Sequence, residues 1–353
     1  MHRRQFIQFS SATSLLTLVN RPIQAASEWK TYTLTMELDL PDTERAARVW
    51  LPLPNSIESY QQTLDTRWSG TAVNAQIFRD VIYGAPMLYA EWNTPGPREL
   101  VVTSQVKTLD RANPPTGKPH GDLPGNPTEI RRFLAPTKHI PTDGIVLTTA
   151  REAIKGATEP VDQARAIYDW VVDNSFRDAK VKGCGRGDIK GMLETGNLGG
   201  KCADINSLFV GLCRAVGIPA RENFGIRVGA SQRFKSLGKV GDITGAQHCR
   251  AEFYSHGLGW APVDPADVRT VVLEEKLELQ DPAVRKIREQ LFGSWEMNWV
   301  EFNNARDFIL NPVSAISPIN FLMYPRAELD GVPRDELDAK SFVYQIEAKE
   351  MTA

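Results

Sequence analysis

The sequence predicts an α+β domain preceded by a small all-β domain, and three observations carry that prediction. The first hundred or so residues alternate apolar and polar side chains at the period of half-buried strands. A stretch dense in Pro and Gly then interrupts any regular structure. Beyond it, helical stripes of apolar residues are followed by strand-like runs. The chain has 353 residues, more than the roughly 100 to 200 usual for one domain.

From Thr31 to Leu40, Tyr32, Leu34, Met36, Leu38 and Leu40 alternate with polar residues, the signature of a strand with one buried face. Val49 to Pro52, Ala72 to Phe78, Met87 to Trp92 and Leu100 to Val106 are further short runs bounded by turn residues. They predict a β-sandwich-like domain over residues 27–110. Asn113-Pro114-Pro115 and the glycines and prolines up to Gly125 predict a linker over 111–125, leaving 126–353 for the second domain.

In that second domain, Ala166, Ile167, Trp170 and Val171 form a helical stripe within Asp162 to Asn174. A glycine-rich segment from Gly183 ends at Gly199-Gly200-Lys201-Cys202, and Ile205, Leu208, Phe209, Leu212, Cys213 and Val216 then share one helical face. Gly217 should stop this helix as a left-handed cap, with Pro219 preventing its resumption. Glu222 to Val228, Gln247 to Tyr254, Gly259 to Val263 and Ser341 to Ala348 read as strands, and Pro282 to Leu291 as a helix.

Composition excludes several function classes. A net charge of −2, with Lys and Arg scattered, offers nucleic acid no basic stripe. Five His and four Cys without CxxC, HExxH or DxDxDG spacing give no common zinc or calcium framework, and no cofactor is expected. Residues 1–26 combine Arg3-Arg4, a mildly apolar run through Leu15, Leu16, Leu18 and Val19, and a small-residue exit at Ala25. This pattern predicts a twin-arginine-type export signal, a periplasmic or secreted mature chain, and no stable membrane insertion once the signal is cleaved. An oxidising compartment permits disulfides, so at most one bridge is expected among Cys184, Cys213 and Cys249.

Three residues stand out chemically. Cys202 opens its helix, where free backbone N–H groups and the helix dipole lower a thiol pKa and raise its thiolate fraction. The preceding glycines should let the backbone approach a substrate closely. Strand alternation places Cys249, Ala251 and Phe253 on an apolar face and frees His248, Arg250 and Glu252 on the other. If the hairpin turn is centred on His256, His248 faces Asp264, whose carboxylate can take the imidazole N–H. A metal site built from Cys202, His248 and Asp264 is the competing use of these side chains, disfavoured because the set lacks the second-shell and spacing cues of known frameworks.

The blocks Gly200-Lys201-Cys202-Ala203-Asp204, Leu212 to Arg221, His248 to Glu252 and Gly259 to Pro265 together resemble the transglutaminase-like superfamily in order and spacing. The resemblance implies a papain-like fold, a Cys202–His248–Asp264 triad, and thioester acyl transfer on peptide or related amides. Hydrolysis is the first expectation and amine exchange of the protein-glutamine gamma-glutamyltransferase kind the second. A non-catalytic binding module retaining the fold is the contrasting class. The implied partners are peptide or protein substrates, and the expected periplasmic location points to cell-envelope peptides among them. Two departures matter. Arg250 stands where many members carry an aromatic residue, which suggests a more polar substrate-binding surface. Gly196 stands where papain-like proteases keep a Gln oxyanion donor, so beyond the Cys202 N–H a second donor is unassigned.

Overall fold

A computed structural model of the chain describes residues 28–41, 46–57, 59–113, 126–338 and 342–351. The expected export signal and most of the expected linker lie outside the described residues.

Strands β1 (Lys30–Leu40), β2 (Ala47–Pro52), β3 (Gln61–Gly70), β4 (Asn74–Arg79), β5 (Pro86–Trp92), β6 (Arg98–Thr108) and the short β7 (Arg111–Ala112) come first. Helices α1 (Pro127–Arg132), α2 (Gly144–Ala153) and α3 (Pro160–Asn174) precede β8 (Phe176–Arg177), α4 (Ile189–Thr195), β9 (Gly199–Gly200) and α5 (Cys202–Ala215). Then come β10 (Ala220–Arg227), β11 (Gly241–Asp242), β12 (Gln247–Ser255), β13 (Gly259–Val263), α6 (Pro265–Glu274) and α7 (Pro282–Gln290). The chain closes with β14 (Ser294–Trp295), β15 (Trp299–Asn303), β16 (Arg326–Leu329), β17 (Val332–Pro333) and β18 (Val343–Met351).

The alternation in β1 has the expected result: Tyr32, Leu34, Met36, Leu38 and Leu40 are all buried. They join Val49 and Leu51 of β2, Leu88 and Ala90 of β5, and Leu100, Val102 and Val106 of β6 in one core. Two five-stranded sheets enclose that core, in the orders β11-β18-β1-β6-β3 and β17-β16-β2-β5-β4. The expected division at residue 126 needs correcting here. Strand β18 pairs along β1 from Thr31 opposite Met351 to Asp39 opposite Val343, and β16 pairs with β2. Both ends of the chain therefore build the β-rich half, because the edges of β1 and β2 would otherwise carry unpaired backbone groups.

The other half is a four-stranded antiparallel sheet, β13-β12-β10-β15, with α5 packed against it. Leu208, Phe209 and Leu212 of α5 meet Cys249, Ala251 and Phe253 of β12 in a second core. Helix α5 stops as its sequence requires: Gly217 has φ +87°, its N–H reaches Arg214 O at 3.0 Å, and Ile218 N reaches Cys213 O at 2.9 Å. Ile226, Val228, Val300 and Phe302 belong to the core of the β-rich half, so the two halves share apolar contact rather than meeting through a linker alone.

Candidate active site

Cys202 is the first residue of α5, and its position is set by Asp204, two residues on in the same turn. The Asp204 carboxylate accepts N–H bonds from Lys201 at 3.0 Å, Arg186 at 2.9 Å and Gly187 at 2.8 Å. The start of α5 is thereby tied to the loop carrying Cys184. A second tie is direct, from Ala203 N to Cys184 O at 2.8 Å. The glycines before Cys202 serve this packing: a Cβ on Gly199 would lie 2.3 Å from the Phe176 ring, and one on Gly200 would lie 2.4 Å from Asp204 Cβ.

Strand β12 is buried along its whole length, so its polar face is covered where an open one was expected. His248 sits there, 3% exposed. Its Nε2 bonds Asp264 Oδ2 at 2.7 Å and lies 3.4 Å from Asp267 Oδ1, leaving Nδ1 as the ring nitrogen that can face the sulfur.

The expected register does not produce the His248–Asp264 contact. The hairpin turns around Gly257, with Ser255 opposite Gly259 and Ala251 opposite Val263, so continuation of the ladder would bring Asp264 level with Arg250. The contact forms because Asp264 has left the strand. It is the N-cap of α6, where Pro265 occupies the first turn and Asp264 Oδ1 accepts the Asp267 N–H at 3.1 Å. Asn206 of α5 holds the same carboxylate, with Nδ2 at 3.3 Å from Asp264 Oδ1 and 2.8 Å from Cys249 O.

Electrostatics follow from this cage. Burial opposes charge on the Cys202 sulfur, yet hydrogen bonds from the Cys184 and Cys249 thiols and from His248 hold its pKa well below the usual thiol value. Burial and Arg227 oppose charge on His248, but Asp267 and Asp264 prevail and hold it up to about 9. Asp267 pairs with Arg227 Nη2 at 2.5 Å and, despite burial, is held down to about 2 by that guanidinium. Burial and the Asp267 charge push Asp264 up. A thiolate beside an imidazolium is the state these shifts favour near neutral pH.

His248, Asp264 and Asp267 present ligand-type atoms within 4.8 Å of one another. Arg227 and Arg250 share that space, so cations of the chain itself already meet the negative charge.

Cys202, His248 and Arg227 line a cavity of about 620 Å³, with Cys184, Lys201 and Gln247 also on its wall. Phe342 to Tyr344 close one side, bringing the C-terminal strand of the β-rich half into the site. Arg250 does not line this cavity, contrary to its expected place in a substrate-binding surface. Its guanidinium packs over Trp295 and Trp299 at 5.5 and 4.8 Å and donates to Glu296 O at 3.0 Å, behind Asp264.

A Transglutaminase-like superfamily model matches residues 147–265, the stretch that holds α5, β12 and Asp264. An uncharacterized Haemophilus influenzae protein is 40% identical over 336 residues, covering 91% of each chain. The chain belongs to the transglutaminase-like superfamily. Among solved structures, a candidate cysteine protease from Cytophaga hutchinsonii shares the fold, with 14% identity, 93% of this chain and 92% of that chain covered, and a TM-score of 0.57. The periplasmic domain of TgpA from Pseudomonas aeruginosa covers 73% of this chain and 92% of its own at 14% identity, but its TM-score of 0.36 is too low to carry an argument.

Within this transglutaminase-like core, sequence reasoning missed Asn206, Asp267, Arg227, Cys184 and Gln247. A signal existed for Asp267: Asp264-Pro265-Ala266-Asp267 has the residue types of a helix start, with a capping Asp, Pro at the first turn and an acidic residue three on. Arg227 and Gln247 carry no such local signal, since a strand places them from outside their own motif. Gln247 Nε2 is buried and has no hydrogen-bond partner among the described residues.

Proposed function

We propose that this chain is a thiol-dependent acyl-transfer enzyme that hydrolyses peptide or related amide bonds, with Cys202 as nucleophile, His248 as acid and base, and Asp264 orienting the imidazole. The observation that carries the reading is the 2.7 Å His248–Asp264 bond beside a cavity that also exposes the mouth of α5 at Cys202. A buried carboxylate on Nε2 fixes the tautomer and favours the imidazolium, which leaves Nδ1 to exchange a proton with the sulfur.

The Cys202 thiolate attacks the amide carbonyl, and the tetrahedral oxyanion takes a hydrogen bond from the Cys202 N–H, an amide the helix ladder leaves free. Gln247 Nε2 supplies the second donor, answering the gap left by Gly196. His248 passes its proton to the leaving amine and the thioester forms. Water enters, His248 removes its proton, and hydrolysis frees the acid and restores the thiolate. Charged groups from Lys201, Lys239, Asp242 and Glu336 line the cavity and suit water as the acceptor.

The compartment belongs to this proposal. Arg3-Arg4 and the apolar run behind it support export, and no helix among the described residues is long and apolar enough to cross a membrane. Cell-envelope peptides are then the substrates within reach. Incubation of the protein with a pool of such peptides, followed by mass spectrometry of the intact chain, tests the reading. An acyl adduct on Cys202 that water discharges supports hydrolysis. An adduct discharged only by added amines supports exchange instead, and no adduct on Cys202 with any peptide contradicts the reading.

A further inference from the structure

The sulfur of Cys202 has two thiol neighbours that exchange no proton and form no bond in the acyl-transfer steps, Cys184 and Cys249. All four cysteines are free, and Cys213 lies 11 residues further along α5, about 16 Å away at 1.5 Å per residue, so the expected option of a Cys184–Cys213 bridge is closed by geometry. The environments of the two near neighbours differ. Cys249 is fully buried in β12, opposite Phe224 in the ladder, and does not reach the cavity. Cys184 is on a loop and lines the cavity with Cys202, and its Sγ lies 3.1 Å from Gln247 O.

That loop is shaped to bring Cys184 against the start of α5. Gly183 and Gly185 flank the cysteine at φ +54° and +87°, a region that L side chains rarely adopt. A Cβ on Gly185 would lie 1.8 Å from Asp204 Oδ2, and one on Gly183 would lie 2.8 Å from a Leu337 methyl. Asp204 holds the next two residues by their N–H groups, and Ala203 N holds Cys184 O. These ties hold the Cys184 thiol beside the start of α5.

We propose that Cys184 is a resolving thiol, and that peroxide converts Cys202 and Cys184 into a reversible disulfide that protects the nucleophile from further oxidation. The inference rests on the reading of Cys202 as a thiolate. In the first step the Cys202 sulfur attacks one oxygen of hydrogen peroxide, the O–O bond breaks, and the departing hydroxide takes the His248 proton to leave as water. The product is the Cys202 sulfenic acid. Cys184 then gives its proton to His248 and its sulfur attacks the sulfenic sulfur. The S–S bond forms, the S–O bond breaks, and the leaving hydroxide recovers the proton as a second water. Two thiols and one peroxide thus give one disulfide and two waters, with both electrons taken by the peroxide oxygens. A dithiol reductant reverses the modification by thiol–disulfide exchange.

The test treats the reduced full-length chain with a several-fold molar excess of hydrogen peroxide, blocks free thiols with iodoacetamide, and reads peptides by mass spectrometry before and after dithiothreitol. Expected is a linked Cys184–Cys202 peptide pair, lighter by about 2 Da than the two thiols, with full Cys202 labelling regained on reduction. In Cys184→Ser the same dose should carry Cys202 to sulfinic acid, heavier by about 32 Da and not recovered by dithiothreitol. Wild-type Cys202 that goes directly to sulfinic acid, or links to Cys249, overturns the inference and leaves the proposed function standing if untreated Cys202 still alkylates rapidly. Cys202 that neither alkylates nor oxidises overturns both. The wild-type peptide map decides the linkage even if Cys184→Ser fails to fold.

Discussion

At the scale of single residues, the site is a sulfur and an imidazole whose charges are set by what surrounds them. His248 is held up to about 9 by Asp267 and Asp264 against burial and Arg227, so its imidazolium persists through neutral pH and is lost above that value. Turnover should therefore rise on the acid side as the low-pKa thiol ionises, and fall on the alkaline side near pH 9 as the proton needed by the leaving amine is lost. Asp264→Asn removes one of the two carboxylates. Its alkaline limb should move toward the ordinary imidazole range, and kcat should fall by about 10²- to 10⁴-fold, read from a pH–rate profile. An unchanged alkaline limb would remove Asp264 from its orienting role. Gln247→Leu should lower kcat by about 10²- to 10³-fold while leaving iodoacetamide alkylation of Cys202 unaltered, because alkylation develops no oxyanion. Equal losses in both would make Gln247 a structural residue only.

At the scale of elements, helix α5 and its surrounding strands show what a sequence can and cannot disclose. The α5 stripe was readable because one face of a buried helix must be apolar every three or four residues, and Gly217 marks its end because only glycine takes φ +87° cheaply. Gly217→Ala, which meets no steric obstacle, should cost about 1 kcal/mol, seen as a lower urea midpoint at unchanged slope. Strand β3 was not readable. It is an edge strand most of whose side chains, Leu64 and Trp68 included, are exposed, so ladder bonds more than burial hold it and no alternation appears. The hairpin between β12 and β13 was readable as a hairpin but not in register. The residue types at its turn allow either centre, and the positive φ of Gly257 and Gly259 selects the one observed. Helix α6 hid behind its own first residues, since Asp-Pro opens turns and helices alike. Cys202 and His248, the proposed nucleophile and base, were thus found by local pattern, whereas the carboxylate cage was not, because it depends on where three elements meet.

At the scale of the whole molecule, a β-rich half built from both chain ends supports the site from outside the segment that carries the chemistry. Phe342, Val343 and Tyr344 line the cavity, and β18 is also the partner of β1. Truncation before Val343 should both expose the edge of β1 and open the cavity wall, so the shortened chain should aggregate in a sedimentation assay, where a soluble, active product would contradict the shared role. Glu252 ties the two halves together: it is fully buried, and Arg111 from β7 and Arg221 from β10 both pair with it. Despite burial, those guanidiniums hold its carboxyl down to about 2, against an ordinary value of 4.5. A carboxyl depressed in the folded state stabilises above its unfolded pKa and loses that contribution as pH falls through the folded one. The Glu252 share should therefore be present above about pH 4.5 and vanish toward pH 2. Glu252→Gln leaves two buried guanidiniums without their charge and should cost about 3 to 5 kcal/mol at neutral pH, with the difference from wild type shrinking in acid denaturation titrations. The central claim, that Cys202 is a thiolate paired with the His248 imidazolium, is tested most directly by the pH dependence of the iodoacetamide alkylation rate at Cys202 in the wild type and in His248→Ala. The account predicts rapid alkylation of the wild type persisting well below pH 7, preferential over the other three cysteines, and a His248→Ala rate that at the same pH falls to that of an ordinary buried thiol. Equal rates in the two proteins, or first labelling at another cysteine, would contradict it.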